Sequence, residues 1–414
     1  MQLVETQVIK KNDSRYKLLD DLCFHTKNLY NTALYEIRQY YFETKKYLNY
    51  YAVDKKFKQE KKKEYYALPV KVSQQVLRSV DKNFKSFFSA LKSKKMVSKK
   101  KSIPKYLDKV KGRFIVTFTI QAISKRGLNK GIIKFSGIEC ELKTKVNPLC
   151  IDQVRIIPRN GYYKVEVVYT VQEKKQKEDN RRYAAIDLGV NNLATVSSNV
   201  VKPYIINGKP LKSINQYANK KVAQLQQEID TTKNNNRKTN LKEQKYKLFH
   251  KRDNKINTYL HKASRFIVNR LVSNEIHTLI IGKNDNWKQE TNIGKRNNQN
   301  FVEIPHSRFI IMLKYKCELE GINVVITEEN YTSKCSFLDN EKICKHVNNE
   351  YAGKRIKRGL FRTATGKFIN ADLNGSLNIL RKVIGEFQYL IEVCSTPRVE
   401  TIFDTRKLIF HQIA

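Results

Sequence analysis

The sequence predicts a multidomain α/β protein. Three observations predict it. The apolar period switches from helical to β and back again along the chain. At 414 residues the chain is long enough for about two to four domains. Its second half opens with three strand-like runs and then alternates helices with single strands.

Residues 1–12 read as a short strand, with Leu3, Val4, Val8 and Ile9 among polar neighbours. From 14 to about 93 the period is helical. Leu22, Leu29, Ala33 and Ile37 share one face, and Pro69 opens a second long helix with Val72, Val76, Val80, Phe84 and Phe88 in a stripe. These stripes are core, and Lys82, Lys85 and Lys92 lie on the opposite face, open to solvent or a polyanion. Residues 94–102 form a basic linker. From 106 to 171 the runs Phe114-Ile-Val-Thr-Phe-Thr-Ile, Ile132-Ile-Lys-Phe, Cys150-Ile-Asp-Gln-Val-Arg-Ile-Ile and Tyr162-Tyr-Lys-Val-Glu-Val-Val are strand-like and broken by Gly, Pro and Asn. A small barrel or sandwich is expected. The first strand is expected to join it, which divides this part into a β domain (1–12 and 105–178) and an inserted helical domain (13–104).

A charged connector at 172–182 leads into the last domain, bounded at 179–414. It begins with a strand to Leu188, a second at Leu193-Ala-Thr-Val-Ser-Ser and a third around Tyr204-Ile-Ile-Asn. A helical insertion of about 213–275 follows, its second helix from about 256 with Ile256, Leu260, Ala263, Ile267 and Leu271 on one face. Then come strand His277-Thr-Leu-Ile-Ile-Gly, a loop, a helix over 307–320, strand Asn323-Val-Val-Ile-Thr, a basic segment of about 334–368, and a helix after Asp372. Three antiparallel strands, then helix, strand, helix, strand and helix, is the order of an RNase H-like fold. The chain has no internal repeat.

The formal net charge is +41, which favours a polyanionic partner and salt-dependent binding. The 23 Tyr and 19 Phe offer stacking surfaces among the lysines, suited to single-stranded or hybrid nucleic acid. The N-terminus carries no apolar signal region, and no run approaches the roughly 20 apolar residues of a membrane span. No membrane partner is expected. Seven scattered cysteines, an odd number, fit free thiols in a reducing compartment.

The chemistry centres on two aspartates. Asp187 ends an apolar run, Tyr183-Ala-Ala-Ile-Asp-Leu-Gly, and Asp372 starts a helix whose one face carries Asp372, Ser376 and Ile379. Two carboxylates brought together repel unless a cation sits between them, and Mg²⁺ prefers such hard oxygen ligands. In so basic a chain this points to phosphodiester cleavage with two metal ions. The RNase H-like order places the fourth strand beside the first and wants a third acidic residue at its end. Gly282 occupies that position.

The chain resembles the TnpB (OrfB) proteins of bacterial insertion sequences, which are RNA-guided DNA endonucleases with a RuvC-type nuclease domain. The resemblance rests on Ala185-Ile-Asp-Leu-Gly-Val-Asn-Asn-Leu-Ala-Thr, Ile281-Gly-Lys-Asn-Asp-Asn-Trp-Lys-Gln-Glu, Gly294-Lys-Arg-Asn-Asn-Gln-Asn-Phe, Tyr331-Thr-Ser, Gly353-Lys-Arg-Ile-Lys-Arg-Gly-Leu and Asn370-Ala-Asp-Leu-Asn-Gly. It implies a wedge-like β barrel carrying a helical recognition domain, followed by the RuvC domain. It also implies a structured guide RNA and a double-stranded DNA target beside a short target-adjacent motif, in a bacterial cytoplasm or nucleoid. In most of the family the second catalytic residue is a glutamate at the position of Gly282. One branch, like the eukaryotic Fanzor relatives, carries a substitute just before Thr-Ser, which is Glu329 here with Glu328 beside it. Alternation along the strand puts these two on opposite sides and favours Glu329; Glu290 and Asp285 are further candidates. The implied catalytic and metal-binding set is Asp187, Glu329 and Asp372 with two Mg²⁺, and no small-molecule cofactor.

The family's usual zinc site has two Cys-x-x-Cys pairs between Thr-Ser and the last aspartate. This interval holds only Cys335, Cys344 and His346, fewer than a four-ligand site needs, so no zinc is expected and the segment reads as a basic flap. Candidate nucleic-acid contacts are Trp287, Lys288, Lys295, Arg296, Asn300, Tyr331, Thr332, Ser333, Lys354, Arg355, Lys357, Arg358 and Asn374. The alternatives to an endonuclease are a nuclease-dead RNA-guided repressor, a transposase that joins DNA ends, and a compact type V CRISPR effector.

Overall fold

The computed structural model describes residues 1–92, 102–176, 178–284, 303–347, 350–357, 359–387 and 398–400. The sequence candidates Asp285, Trp287, Lys288, Glu290, Lys295, Arg296, Asn300 and Arg358 lie outside the described residues. The chain divides into two compact units, Met1–Gln172 and Glu173–Ala414. Among the described residues, no helix is long and apolar enough to cross a membrane.

The first unit runs β1 (Gln2–Lys10), α1 (Tyr16–Thr44), α2 (Tyr50–Gln59), α3 (Lys63–Tyr66), α4 (Val70–Lys92), β2 (Val116–Thr119), α5 (Lys125–Leu128), β3 (Ile132–Lys134), β4 (Glu141–Lys143), β5 (Ile151–Arg159) and β6 (Tyr162–Thr170). Its main sheet has the order β1-β6-β5-β2, all antiparallel, and β3 pairs with β4 separately. The first strand registers along the whole of β6, from Gln2 opposite Thr170 to Lys10 opposite Tyr162. Lys45, in the left-handed region at φ 59°, ends α1, and its N–H donates to Tyr41 O. One core serves helices and sheet. Leu29, Ala33 and Ile37 of α1 and Val76, Val80 and Phe84 of α4 bury together with Val116, Phe118, Val165 and Val167. Burying one such side chain contributes roughly 1.5–3 kcal/mol.

The second unit runs β7 (Tyr183–Leu188), β8 (Asn192–Ser198), β9 (Tyr204–Asn207), α6 (Lys209–Thr231), α7 (Asn235–Ser273), β10 (Thr278–Gly282), α8 (His306–Leu319), β11 (Asn323–Thr327), β12 (Lys354–Lys357), β13 (Leu360–Arg362), β14 (Phe368–Asn370), α9 (Ala371–Ile384) and β15 (Arg398–Glu400). The large sheet has the order β11-β10-β7-β8-β9-β15. Strands β7, β8 and β9 are antiparallel, whereas β10 runs parallel to β7 and β11 parallel to β10. The fourth strand thus lies beside the first, as the sequence order requires. The second insertion helix starts well before 256, because Asn234 caps it by accepting from Asn236 N and Arg237 N.

Helices cover both faces of this sheet. Ala184, Ile186 and Leu188 of β7 pack with Ile256, Leu260 and Ile267 of α7 and Phe309 and Leu313 of α8. Ala185 packs on the opposite side with Ile280 and with Ile379 and Leu380 of α9. Burial on both faces explains why β7 and β10 read as continuous apolar runs rather than alternating ones. The flap interval contains a short three-stranded sheet, β12-β13-β14, that periodicity did not reveal.

Candidate active site

Alternation along β7 turns Asp187 to the same side as Ala185, toward α9. Helix α9 reaches it at backbone distance. A Cβ built on Gly375 would stand 2.8 Å from Asp187 Oδ2, a space only glycine leaves free. Asn370 caps α9 by accepting from Asp372 N at 3.0 Å and Leu373 N at 3.1 Å, and the first turn of a helix favours an acidic residue such as Asp372. Asp372 Oδ2 accepts from Asn192 Nδ2 at 2.6 Å, and its Oδ1 accepts from the Arg355 guanidinium at 3.0 Å. Ser376 fastens the helix to the sheet by donating to Ala185 O at 3.1 Å.

Gly282 pairs with Thr327 across β10 and β11. Two residues past Thr327, Glu329 points the same way, and its carboxylate lies over Gly282. A Cβ at position 282 would meet Glu329 Oε2 at 2.9 Å and Ile379 Cδ1 at 2.5 Å. The missing side chain of Gly282 is therefore the space that Glu329 fills. Asn284 fixes the glutamate from both ends, accepting from Glu329 N at 3.0 Å and donating to Oε1 at 3.4 Å. Glu329 Oε2 is buried with no hydrogen-bond partner. Glu328, by contrast, is exposed and holds Asn330 through its Oε2.

The electrostatics tie the three carboxyl groups together. Burial pushes Asp187 well above the usual carboxylate range, and the nearby charges of Glu329 and Asp372 push it further. Burial raises Glu329 from 4.5 to about 7. The cationic Arg355 opposes the shift at Asp187. A buried, unpartnered carboxylate oxygen beside two further carboxylates is a donor set that fits a divalent cation.

The other sequence candidates fall into two groups. Lys354, Arg355 and Lys357 on β12 are exposed, as are Ser333 and Tyr331, whose φ is 65°. Thr332 is buried and donates its hydroxyl to Glu329 O at 2.8 Å. Asn374 is fully buried, accepts from Phe337 N at 2.9 Å and donates to Cys335 O at 2.8 Å. That corrects its reading as a nucleic-acid contact, since its amide holds the backbone of 335–337. Asn284 and Asn192 went unassigned in the sequence, although both stand within motifs that also carry Gly282 or Asp187.

Further along, ligand atoms of Cys335, Glu341 and His346 come within 4.8 Å of one another. Spacing alone had counted the cysteines and the histidine but not the glutamate.

Comparison with known proteins agrees with this architecture. Residues 166–288 match the family model OrfB_IS605, described as a probable transposase, and residues 306–379 match the Cas12f1-like TNB domain. The TnpB-like protein ORF457 of Acidianus two-tailed virus is 26% identical over 396 residues, spanning 86% of this chain and 81% of that protein. A Cas12f1–sgRNA–target DNA complex has a similar fold, with a TM-score of 0.57 and 15% identity over 88% of this chain and 82% of that one. These matches make the chain similar to TnpB-like proteins and its fold similar to that of Cas12f1. Together they support a member of the TnpB family.

Proposed function

We propose that the protein is an RNA-guided DNA endonuclease of an insertion sequence, in the family branch whose RuvC glutamate has moved to a neighbouring strand. The observation that carries this reading is the Glu329 carboxylate lying in the space left by Gly282, next to Asp187 and Asp372. Two bound Mg²⁺ ions would supply an activated water and charge neutralisation at the leaving 3′ oxygen. Asp187, Glu329 and Asp372 would hold them. Asn284 orients Glu329, Asn192 and Asn370 orient Asp372, and Gly375 lets α9 close on Asp187. Arg355, exposed beside Asp372, is placed to meet a scissile-strand phosphate.

In this reading the first unit serves as wedge and recognition domain over the boundaries 1–12 with 105–178, and 13–104. Guide RNA pairing selects the target, and the basic surface holds the backbones. The experiment is guided cleavage of a plasmid in Mg²⁺ by the wild type and by Glu329→Ala. Cleavage lost in the variant with guided binding kept supports the assignment. A wild type that binds tightly under guidance and never cuts would instead be a repressor. Target recognition that survives removal of RNA would fit a DNA-joining transposase.

A further inference from the structure

We propose that one face of α1 and the segment 104–109 form a stacking site for an unpaired stretch of nucleic acid. Arg38 grips a phosphate there, and Tyr35, Phe42 and Tyr106 receive bases. The site lies wholly within the first unit. It goes beyond the cleavage reading, since a chain that binds strands and never cuts would keep it.

Helix spacing arranges the rings. Tyr35, Arg38 and Phe42 stand three and four residues apart, so they share one face of α1. Tyr35 is 55% exposed, Phe42 47% and Tyr106 44%. A lone exposed ring is ordinary, but three clustered with one arginine make a patch of the kind that marks a binding surface. The patch has a firm backing: Tyr41 packs beside Phe42 at a ring separation of 6.2 Å and against Phe88 of α4 at 5.5 Å.

The arginine points to the ligand. Its guanidinium lies over two rings at once, 4.9 Å from the Tyr106 centroid and 5.7 Å from that of Phe42. Among the described residues it makes no hydrogen bond and no ion pair. Stacking fixes the plane of the fork and leaves its N–H edge free, an arrangement suited to a pair of phosphate oxygens. Glu36 on the same helix is already paired with Lys56, and Glu43 lies in the field of that lysine too. Exposed Lys45 and Lys46 follow Phe42 in the chain, and exposed Lys105 precedes Tyr106.

Tyr106 is fixed in place. Asn31 donates to Leu107 O at 2.9 Å and accepts from Leu107 N at 2.9 Å, so one amide clamps both backbone groups of the next residue. Buried Lys27 donates to Lys109 O at 2.6 Å. Two anchors on α1 thus set the ring against Arg38 before a ligand arrives, which lowers the ordering cost of binding. A single strand is the partner that fits. Its bases offer faces that a duplex keeps stacked, and any base can use a ring. A second copy of this chain would bring the same net charge of +41 and be repelled, whereas a polyanion is drawn in.

The test uses the full-length chain freed of nucleic acid in high salt, with binding of a labelled oligothymidylate followed by anisotropy over a salt series. Tyr106→Ala should weaken binding by about 10-fold and leave the salt slope unchanged, because the ring carries no charge. Arg38→Ala should weaken binding and reduce the slope by about 0.7, the share of one phosphate contact in a single strand. Arg38→Lys, which keeps the charge and loses the plane, should restore the slope while affinity stays low. Tyr66→Ala, at an exposed ring on α3, should change neither. A wild-type complex with an iodouracil-bearing strand should cross-link at Tyr35, Phe42 or Tyr106, and this readout needs no variant. Wild-type affinity and slope in both Tyr106→Ala and Arg38→Ala overturn the inference, as do cross-links found only at other residues. So do variants that alter self-association in sedimentation while strand binding is kept, which would make the face a contact between copies.

Discussion

Replacing Glu329 with glutamine should stabilise the metal-free protein above neutral pH. Burial holds the Glu329 carboxyl at about 7 instead of its ordinary 4.5. The folded chain thus keeps a proton that the unfolded chain has already released. As pH rises from about 4.5 stability is lost, and the loss levels off above about 7. At about 1.4 kcal/mol per pH unit, the penalty approaches about 3 kcal/mol. Glutamine does not titrate, so in chelator the variant should melt up to about 5–10 °C above the wild type near pH 8. The gap should close toward about pH 4.5. Mg²⁺ should reverse the order, raising the wild type and leaving the variant nearly unmoved, because only the wild type keeps all three carboxylates. Thermal unfolding across pH, with and without Mg²⁺, reads both effects. A difference in chelator that does not change with pH would refute the burial of this carboxyl group.

Three further outcomes follow from the same geometry. Gly282→Ala puts a methyl against Glu329 Oε2 and Ile379 Cδ1; it should cost about 1–3 kcal/mol and suppress cleavage while guided binding persists, measured by denaturation and plasmid nicking. Gly375→Ala crowds Asp187 Oδ2 in the same way and should raise the Mg²⁺ concentration needed for half-maximal cleavage. Asn374→Ala removes bonds to Phe337 N and Cys335 O. It should cost about 2–3 kcal/mol and quicken limited proteolysis within 334–368, where a merely surface role for Asn374 would change neither.

Much of the second unit was legible because its inner strands β7 and β10 are buried on both faces. The runs ending at Leu188 and Gly282 had to be apolar, and the two aspartates stood out against them, whereas the run ending at Thr327 is only partly buried. The preference for Glu329 over Glu328 came from alternation, and it is the Glu329 carboxylate that lies over Gly282. The first half of α7 was not legible. Leu241 is the only residue buried there before Ile256, so no apolar stripe marks it. Strand β12, Lys354-Arg-Ile-Lys, is wholly exposed and carries no period at all. Glu341 escaped notice because a lone glutamate in a basic loop carries no spacing signal; only the fold brings it to Cys335 and His346. Asn374 misled for the opposite reason, since its place after Asp372 on the helix suggested the ligand side while its side chain turns inward.

The third carboxylate hangs from the last strand of the sheet on its side. Among the described residues strand β11 pairs only with β10, and Ile326 on it is half exposed. Outer strands open more readily than central ones, by local fluctuations that leave the rest of the fold intact. Asp187, on an inner strand, and Asp372, on a packed helix, would remain in place through such an opening. The candidate site would then come apart at one corner while the protein stays folded. Amide exchange along 323–327 would register that opening as a loss of protection not shared by β7. Whatever grips or frees this outer strand would therefore act as a dimmer on the proposed chemistry, without touching Asp187 or Asp372.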